Sequence, residues 1–132
     1  MTSQRVKAVS KDVVRGWAVQ AAQIADDKKG TRTLVLDVGN VLAITDFFVI
    51  TSASNNRLAR TIADTIEETL GLNGGPVTLR REGFSEATWL LLDFGDLVVH
   101  VFTDEMRDFY EIERLYRDVP VVTWEPLAAA SE

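Results

Sequence analysis

The chain has 132 residues, of which 46% are hydrophobic and 26% charged, with a formal net charge of −6 and no cysteine. This length suits one domain with a substantial core, and the lack of cysteine excludes disulfides, thiolate nucleophiles and zinc sites with cysteine ligands. The 14 lysines and arginines are scattered rather than gathered in a basic stripe, which disfavours direct readout of nucleic acid, whereas an acidic surface suits a basic protein partner. No run approaches the roughly 20 apolar residues of a membrane-spanning helix, and no secretory signal is evident, so we expect a cytoplasmic protein without a membrane partner.

The first half of the chain predicts one helix and two strands. Residues 1–9 carry no structural pattern, and we expect a flexible N-terminus there. Ser10 can cap a helix over 11–27, in which apolar residues recur at helical spacing. A strand is predicted over 33–38, and a second, buried strand over 46–52, where aromatic and β-branched residues are frequent.

A second helix is predicted from about 56 to 70. Four apolar residues recur on one of its faces, namely Leu58, Ile62, Ile66 and Leu70. Gly71 is a typical C-terminal stop, and a strand near 77–81 follows a glycine- and proline-containing turn. A strand, a helix and a strand in this order predict a right-handed crossover between parallel strands.

Two nearly continuous apolar runs, 89–92 and 97–102, predict a β-hairpin. The turn between them, 93–96, contains a glycine that can adopt positive φ and two aspartates that suit turn positions. Trp89 at the start of the hairpin and His100, the only histidine, do not fit a simple core hairpin. They therefore raise the question of whether this element packs or also binds a partner.

The last predicted helix spans 104–118 and begins at a cap formed by Thr103 or the following aspartate. The tail, residues 119–132, is predicted either to lie extended over the body of the protein or to be disordered. The sequence thus predicts a single α/β domain over 10–118, in which about five strands form a mixed sheet flanked by helices.

Four aspartates form the main candidate for chemistry, because they all lie at predicted strand ends: Asp37, Asp46, Asp93 and Asp96. If the sheet brought some of them together, they could hold Mg²⁺ for phosphoryl or nucleotidyl transfer. Each also lies beside glycine or loop residues, where turn and cap roles are sufficient, and we favour that interpretation. No phosphate-binding glycine motif is present.

Two further positions have a functional and a structural interpretation. His100 could belong to a Ser–His–Asp triad, but no GxSxG motif accompanies it, and a partly buried strand histidine with a satisfied hydrogen bond is the favoured interpretation. The segment 52–57, SASNNR, could bind an anion at a helix N-terminus, although capping of that helix is commoner.

Several segments together resemble the ribosomal silencing factor family, also called Iojap-like. They are LDVGNVLAITDFFVITSASNNR at 36–57, REGF at 81–84 and WLLLDFGDLVVHVFTDEMRDFYEIERLYRD at 89–118. The resemblance covers about residues 10–118 in order, without a large gap. One departure is Phe47, where the family often has tyrosine.

The resemblance implies a fold related to nucleotidyltransferases but without their catalytic motif, and usually a homodimer. It implies a protein with no enzymatic activity and no cofactor, which binds the large ribosomal subunit at ribosomal protein fourteen. There it would block association with the small subunit and repress translation under nutrient limitation. The alternative from the residues alone is a Mg²⁺-dependent, nucleotidyltransferase-like enzyme.

Carried over to this sequence, the resemblance implies a partner-binding surface made of four residues: Trp89, Asp93, Phe94 and Tyr110. Two residues of the predicted hairpin strands, Leu91 and His100, are weaker candidates. The period of two in a strand independently puts Trp89, Leu91 and Asp93 on one face. Such a face suits an interface anchor for a basic partner, but the residues alone, without the resemblance, favour a core tryptophan beneath the last helix.

Overall fold

The computed structural model describes residues 9–128. Residues 1–8, which make up most of the predicted flexible N-terminus, and residues 129–132 at the end of the predicted tail lie outside the described residues. The elements in chain order are α1 (Lys11–Asp27), β1 (Thr31–Asp37), β2 (Phe47–Ala53), α2 (Asn56–Leu72), β3 (Arg80–Glu82), β4 (Trp89–Asp93), β5 (Leu97–Thr103), α3 (Asp104–Tyr110) and a 3₁₀ helix (Ile112–Tyr116). None of these helices is long and apolar enough to cross a bilayer.

The five strands form one mixed sheet in the order β1-β2-β5-β4-β3, which confirms the predicted α/β architecture. Only β2 and β5 pair in parallel, and the other neighbours pair antiparallel. β3 therefore runs parallel to β2, as the crossover predicted, but β5 and β4 lie between them. β3, at the edge of the sheet, is short, polar and exposed, and it begins later than the strand predicted near 77–81.

Local signals explain where the long helices and the hairpin begin and end. The Ser10 hydroxyl accepts a hydrogen bond from the N–H of Val13, and the Asn55 side chain caps α2 in the same way. Helix α2 continues past the predicted stop at Gly71 and ends at Leu72. The hairpin turn is confirmed, with Gly95 at φ 94° in the region that favours glycine.

The two faces of the sheet are covered differently. Helices α1 and α2 pack on one of them, the helix-covered face, which includes Val49, Leu90, Leu92 and Val99 and meets Val14, Ala18, Ile62 and Ile66 of the helices. The opposite one, the aromatic face, includes Leu36, Phe48, Ile50, Trp89, His100 and Phe102, and it packs against Met106, Ile112 and Tyr116. Because side chains alternate along a strand, each strand contributes to both faces.

The last helix is shorter than predicted. Instead of continuing to residue 118, α3 ends at Tyr110, and Glu111 adopts a left-handed conformation with φ 47° before the 3₁₀ helix begins. This break allows the Glu113 carboxylate to reach Arg107. In a continuous α-helix, side chains six residues apart would point about 120° apart around the axis and lie about 9 Å apart along it, and so could not meet.

The described part of the tail lies extended along the free edge of β1. The N–H of Asp37 donates to the carbonyl of Pro120 at 2.9 Å, and the N–H of Val122 donates to the carbonyl of Val35 at 2.8 Å. The indole of Trp124 donates to the carbonyl of Thr33 at 3.4 Å. The tail thus covers an edge that would otherwise present unpaired backbone groups.

Candidate functional site

The start of β4 places three candidate residues on the aromatic face. Trp89, Leu91 and Asp93 are half-buried and alternate with the fully buried Leu90 and Leu92. The alternation predicted from the sequence is therefore confirmed. Leu90 and Leu92 pack on the helix-covered face, so the three half-buried side chains lie on the opposite, aromatic face, where they are partly exposed to solvent.

Trp89 is the centre of an aromatic cluster contributed by β5 and α3. Its ring stacks on Phe102 with 4.9 Å between centroids, and it contacts Tyr110 at 4.8 Å. Tyr110 in turn meets Phe109 edge-to-face at 5.0 Å. Tyr110 is 46% exposed and Phe109 is 73% exposed, so a continuous aromatic patch reaches solvent beside Trp89.

Two hollows flank Trp89. One of about 260 Å³ is lined by Gly83, Ser85, Glu86, Thr88, Trp89, Met106 and Tyr110. The other, of about 300 Å³, is lined by Glu82, Gly83, Trp89 and Leu91. We call the exposed parts of Trp89, Leu91 and Tyr110, together with these two hollows, the Trp89 surface. Trp89 lines both hollows and therefore lies between them, and Tyr110 lines the first; we call these two contacting rings the aromatic ridge.

Gly83 permits the close approach of the β3–β4 connection to Trp89. It has φ 84°, and a Cβ atom at this position would collide with the Trp89 carbonyl oxygen. Only glycine fits both requirements without strain. The REGF segment of the family resemblance therefore has a structural role at the edge of this surface.

The charged side chains around the Trp89 surface are of both signs. Glu82 and Glu86 line the hollows, but Glu82 forms an ion pair with Arg80 at 3.6 Å, whereas Arg81 forms ion pairs with Asp64 and Glu67. Asp93, a predicted partner-binding residue, accepts from the Gly95 N–H at 2.8 Å, and its other carboxylate oxygen pairs with Arg80 at 3.3 Å. Asp93 thus stabilises the hairpin turn as well as contributing negative charge.

Phe94 does not lie on this surface. Its side chain is 7% exposed and packs with the helix-covered face, where it lines a cavity of about 200 Å³ together with Val14, Trp17 and Pro76. Because side chains alternate along a strand, the residue after Asp93, Phe94, lies on the face opposite to Trp89 and Asp93. Phe94 and Trp89, which the family pattern grouped together, therefore lie on opposite faces of the sheet, and a role of Phe94 in partner binding stays a prediction.

His100 lies beneath the surface rather than on it. It is 5% exposed, and its ring meets Phe48 edge-to-face at 4.7 Å. Its Nδ1 accepts a hydrogen bond from the indole Nε1–H of Trp89 at 3.2 Å, so the predicted hydrogen bond is confirmed at this nitrogen. Its Nε2 has no partner within the described part of the chain. Burial lowers the pKa of His100 to about 4, which keeps the ring neutral at pH 7.

Arg107 is a structurally important residue that the sequence did not reveal. It is 2% exposed, and its guanidinium donates to both carboxylate oxygens of Glu113, to the Ser52 hydroxyl at 2.7 Å and to the Arg32 carbonyl at 2.7 Å. Burial lowers the pKa of Arg107, and the Glu113 carboxylate partly offsets this effect. The cluster attaches α3 to β1 and β2 and so positions Tyr110. An arginine in a short polar helix gives no local sign of such burial.

The predicted acidic site is not assembled as a metal centre. The Asp37 carboxylate lies 3.0 Å from the Lys11 ammonium, and it also accepts from the Gly39 N–H. Asp93 is engaged at the hairpin turn, and the main-chain N–H of Asp46 donates to the carbonyl of Asp96 at 2.9 Å. Across residues 9–128, no group of three or more histidine or acidic side chains could hold a metal ion. The contacts of Asp37 and Asp93 with the N–H groups of Gly39 and Gly95 are turn contacts, the interpretation that the sequence favours, and both carboxylates also form ion pairs that the sequence did not predict.

The predicted anion site at 52–57 is likewise occupied by structural contacts. Asn55 caps α2, and the Ser52 hydroxyl binds Arg107. The Asn56 amide donates to the carbonyls of Glu86 and Ala87, and this attaches the start of α2 to the loop before β4. These contacts support the capping interpretation.

Comparison with known proteins identifies relatives that match most of this chain. The family model described as "Ribosomal silencing factor during starvation" matches residues 12–132. A Bacillus subtilis protein named ribosomal silencing factor RsfS is 38% identical over 101 residues, which cover 76% of this chain and 85% of that protein.

Two crystal structures show a similar fold. One, of a protein from Bacillus halodurans, is 31% identical with a TM-score of 0.69, and the match covers 86% of this chain and 99% of the other. The second, of a protein from Chromobacterium violaceum, is 24% identical with a TM-score of 0.73, and the match covers 94% and 98% of the two chains. The family match, the sequence identity and the shared fold together show that this chain belongs to the ribosomal silencing factor family.

Proposed function

We propose that this protein is a non-enzymatic translational repressor that binds the large ribosomal subunit through the Trp89 surface. Its partner there is ribosomal protein fourteen, and the bound protein blocks association with the small subunit under nutrient limitation. It acts in the cytoplasm as a homodimer. The family membership supports the general role, and the particular partner follows from the family resemblance.

The observation that carries the proposal is the exposed aromatic ridge between two hollows. Trp89 is partly buried, Tyr110 is 46% exposed and their rings are in contact, and large aromatic residues at the centre of a surface are common energetic anchors of protein interfaces. The two hollows provide depressions into which side chains of a partner can insert. A core tryptophan would instead lie beneath a helix, whereas α3 covers only part of this ring.

The charge distribution supports a basic protein as the partner. Glu82 and Glu86 line the hollows, and the chain carries a net charge of −6. Opposite charges at the rim of an interface speed association and favour the correct partner. The interaction is therefore expected to weaken as the salt concentration rises.

The decisive experiment is co-sedimentation of the protein with purified large subunits in a sucrose gradient, followed by addition of small subunits. Trp89→Ala should reduce co-sedimentation at least tenfold, because truncation of a central aromatic anchor commonly costs about 2 kcal/mol or more of binding energy. The same variant should no longer prevent the two subunits from associating.

Trp17→Ala is the matched control, since Trp17 is also half-buried but packs on the helix-covered face. It should bind large subunits like the wild type once its folding is verified by thermal unfolding. Tyr110→Ala, at the exposed side of the ridge, tests the surface independently if Trp89→Ala proves unstable. Folded Trp89→Ala and Tyr110→Ala variants that co-sediment like the wild type would contradict the assigned surface.

A further inference from the structure

We propose that His100 is a positioning residue that holds the Trp89 ring in the orientation needed for docking, without touching the partner itself. This inference rests on the proposed function. It assigns to His100 a role different from the direct contact implied by the family resemblance. The hydrogen bond from the Trp89 indole to His100 Nδ1 is the contact through which it acts.

The burial of His100 argues against direct contact with a partner. The side chain is 5% exposed, and its cross-strand neighbours are Leu91 on β4 and Ile50 on β2. The centroids of the Phe48 and Phe102 rings lie 4.7 and 6.4 Å from that of the imidazole. A docked protein would meet Trp89 and Leu91 before it could reach the imidazole.

The tautomer of the His100 imidazole shows which hydrogen-bonding group this residue provides for Trp89. A neutral imidazole has one donor and one acceptor nitrogen. Because Nδ1 accepts from the Trp89 indole, the proton of a neutral His100 is on Nε2, which is buried without a partner within residues 9–128. An aliphatic residue would pack here without an unpaired polar group. What histidine adds at this site is the acceptor for Trp89.

Three contacts together define the orientation of the Trp89 ring. Phe102 stacks on one side, Tyr110 packs against it, and His100 binds the indole nitrogen. The two ring contacts do not depend on where the indole N–H points, whereas the hydrogen bond to His100 fixes the position of that edge of the ring. Preorganisation of an interface side chain increases affinity because less conformational freedom is lost on binding.

The test compares His100→Leu, which removes the acceptor, with His100→Asn, whose Oδ1 can accept near the position of Nδ1. The first readout is solvent exchange of the Trp89 indole proton, followed by NMR and assigned by its absence in Trp89→Phe. We expect exchange to accelerate about tenfold or more in His100→Leu and to stay slow in His100→Asn, as expected for loss and retention of one hydrogen bond. Unchanged exchange in His100→Leu would overturn the proposal.

The second readout is the affinity for large subunits. His100→Leu should weaken binding about tenfold and His100→Asn much less, and His100→Leu should have no further effect in the Trp89→Phe background. An equal loss in that background would show direct contact and overturn the positioning role. If folded Trp89→Ala still binds, the proposed docking surface fails, and the positioning role in docking is overturned with it. Failure of the indole-exchange result alone leaves the docking surface intact.

Discussion

The two faces of the sheet are covered by different elements, which are held in place by different interactions. The helix-covered face packs against α1 and α2, each of 17 residues, through aliphatic side chains that are almost all fully buried. The aromatic face is covered by α3 of 7 residues and a 3₁₀ helix of 5 residues, which are held by a buried arginine cluster. Both faces contain buried side chains, but the incomplete cover of the aromatic face leaves Trp89 only partly buried and Tyr110 exposed, and these two residues belong to the proposed docking surface.

The largest effect is expected from breaking the cluster that holds the cover of the aromatic face. Arg107→Met leaves Glu113, the Ser52 hydroxyl and the Arg32 carbonyl without their donor, and should reduce the free energy of unfolding by about 4 kcal/mol. Urea unfolding followed by circular dichroism measures this change.

Arg114→Met is the control for Arg107→Met. Arg114 is exposed and pairs only with Glu111 among the described residues, so its replacement should change stability by about 0.5 kcal/mol or less. Equal unfolding midpoints for the two variants would show that the buried cluster does not hold the short helices.

Two adjacent leucines of β4 compare the two faces directly. Leu92 is fully buried on the helix-covered face, and Leu92→Ala should lower stability by about 3 kcal/mol through loss of burial and formation of a cavity. Leu91 is half-buried on the aromatic face, and Leu91→Ala should lower stability by about 1 kcal/mol.

Binding of large subunits should show the opposite order. Leu91→Ala should weaken co-sedimentation, whereas folded Leu92→Ala should bind like the wild type. If Leu92→Ala were the variant with weaker binding at temperatures where both are folded, the division of roles between the faces would be wrong.

A smaller effect is expected from titration of His100. Its pKa is about 4 in the folded protein and 6.5 when exposed, so between these values the unfolded state binds the proton more readily. Stability from this group is therefore complete above pH 6.5 and is lost as the pH falls, by about 2 kcal/mol between pH 7 and pH 5.

His100→Asn isolates this contribution, since every other titratable group is common to both proteins. The stability difference between wild type and variant, measured by urea unfolding, should change by about 2 kcal/mol between pH 7 and pH 5. A difference independent of pH would mean that the imidazole is protonated equally easily in the folded and unfolded states.

The sequence alone determined the features that depend on a few neighbouring residues. The caps at Ser10 and Asn55 and the turn at Gly95 formed as predicted, because each is stabilised by groups within three positions of it. The strand alternation also grouped Trp89 with Leu91 and Asp93. The same rule places Phe94 on the opposite face, although the family pattern alone had grouped it with Trp89.

Only the tertiary structure decided how the aromatic face is covered and how its tryptophan is held. Arg107 meets Ser52 and Arg32 across separations of 55 and 75 residues, and the break at Glu111 serves that cluster. The bond between Trp89 and His100 likewise depends on the pairing of β4 with β5. Such contacts leave no local pattern, because they bring together groups that are distant in the chain.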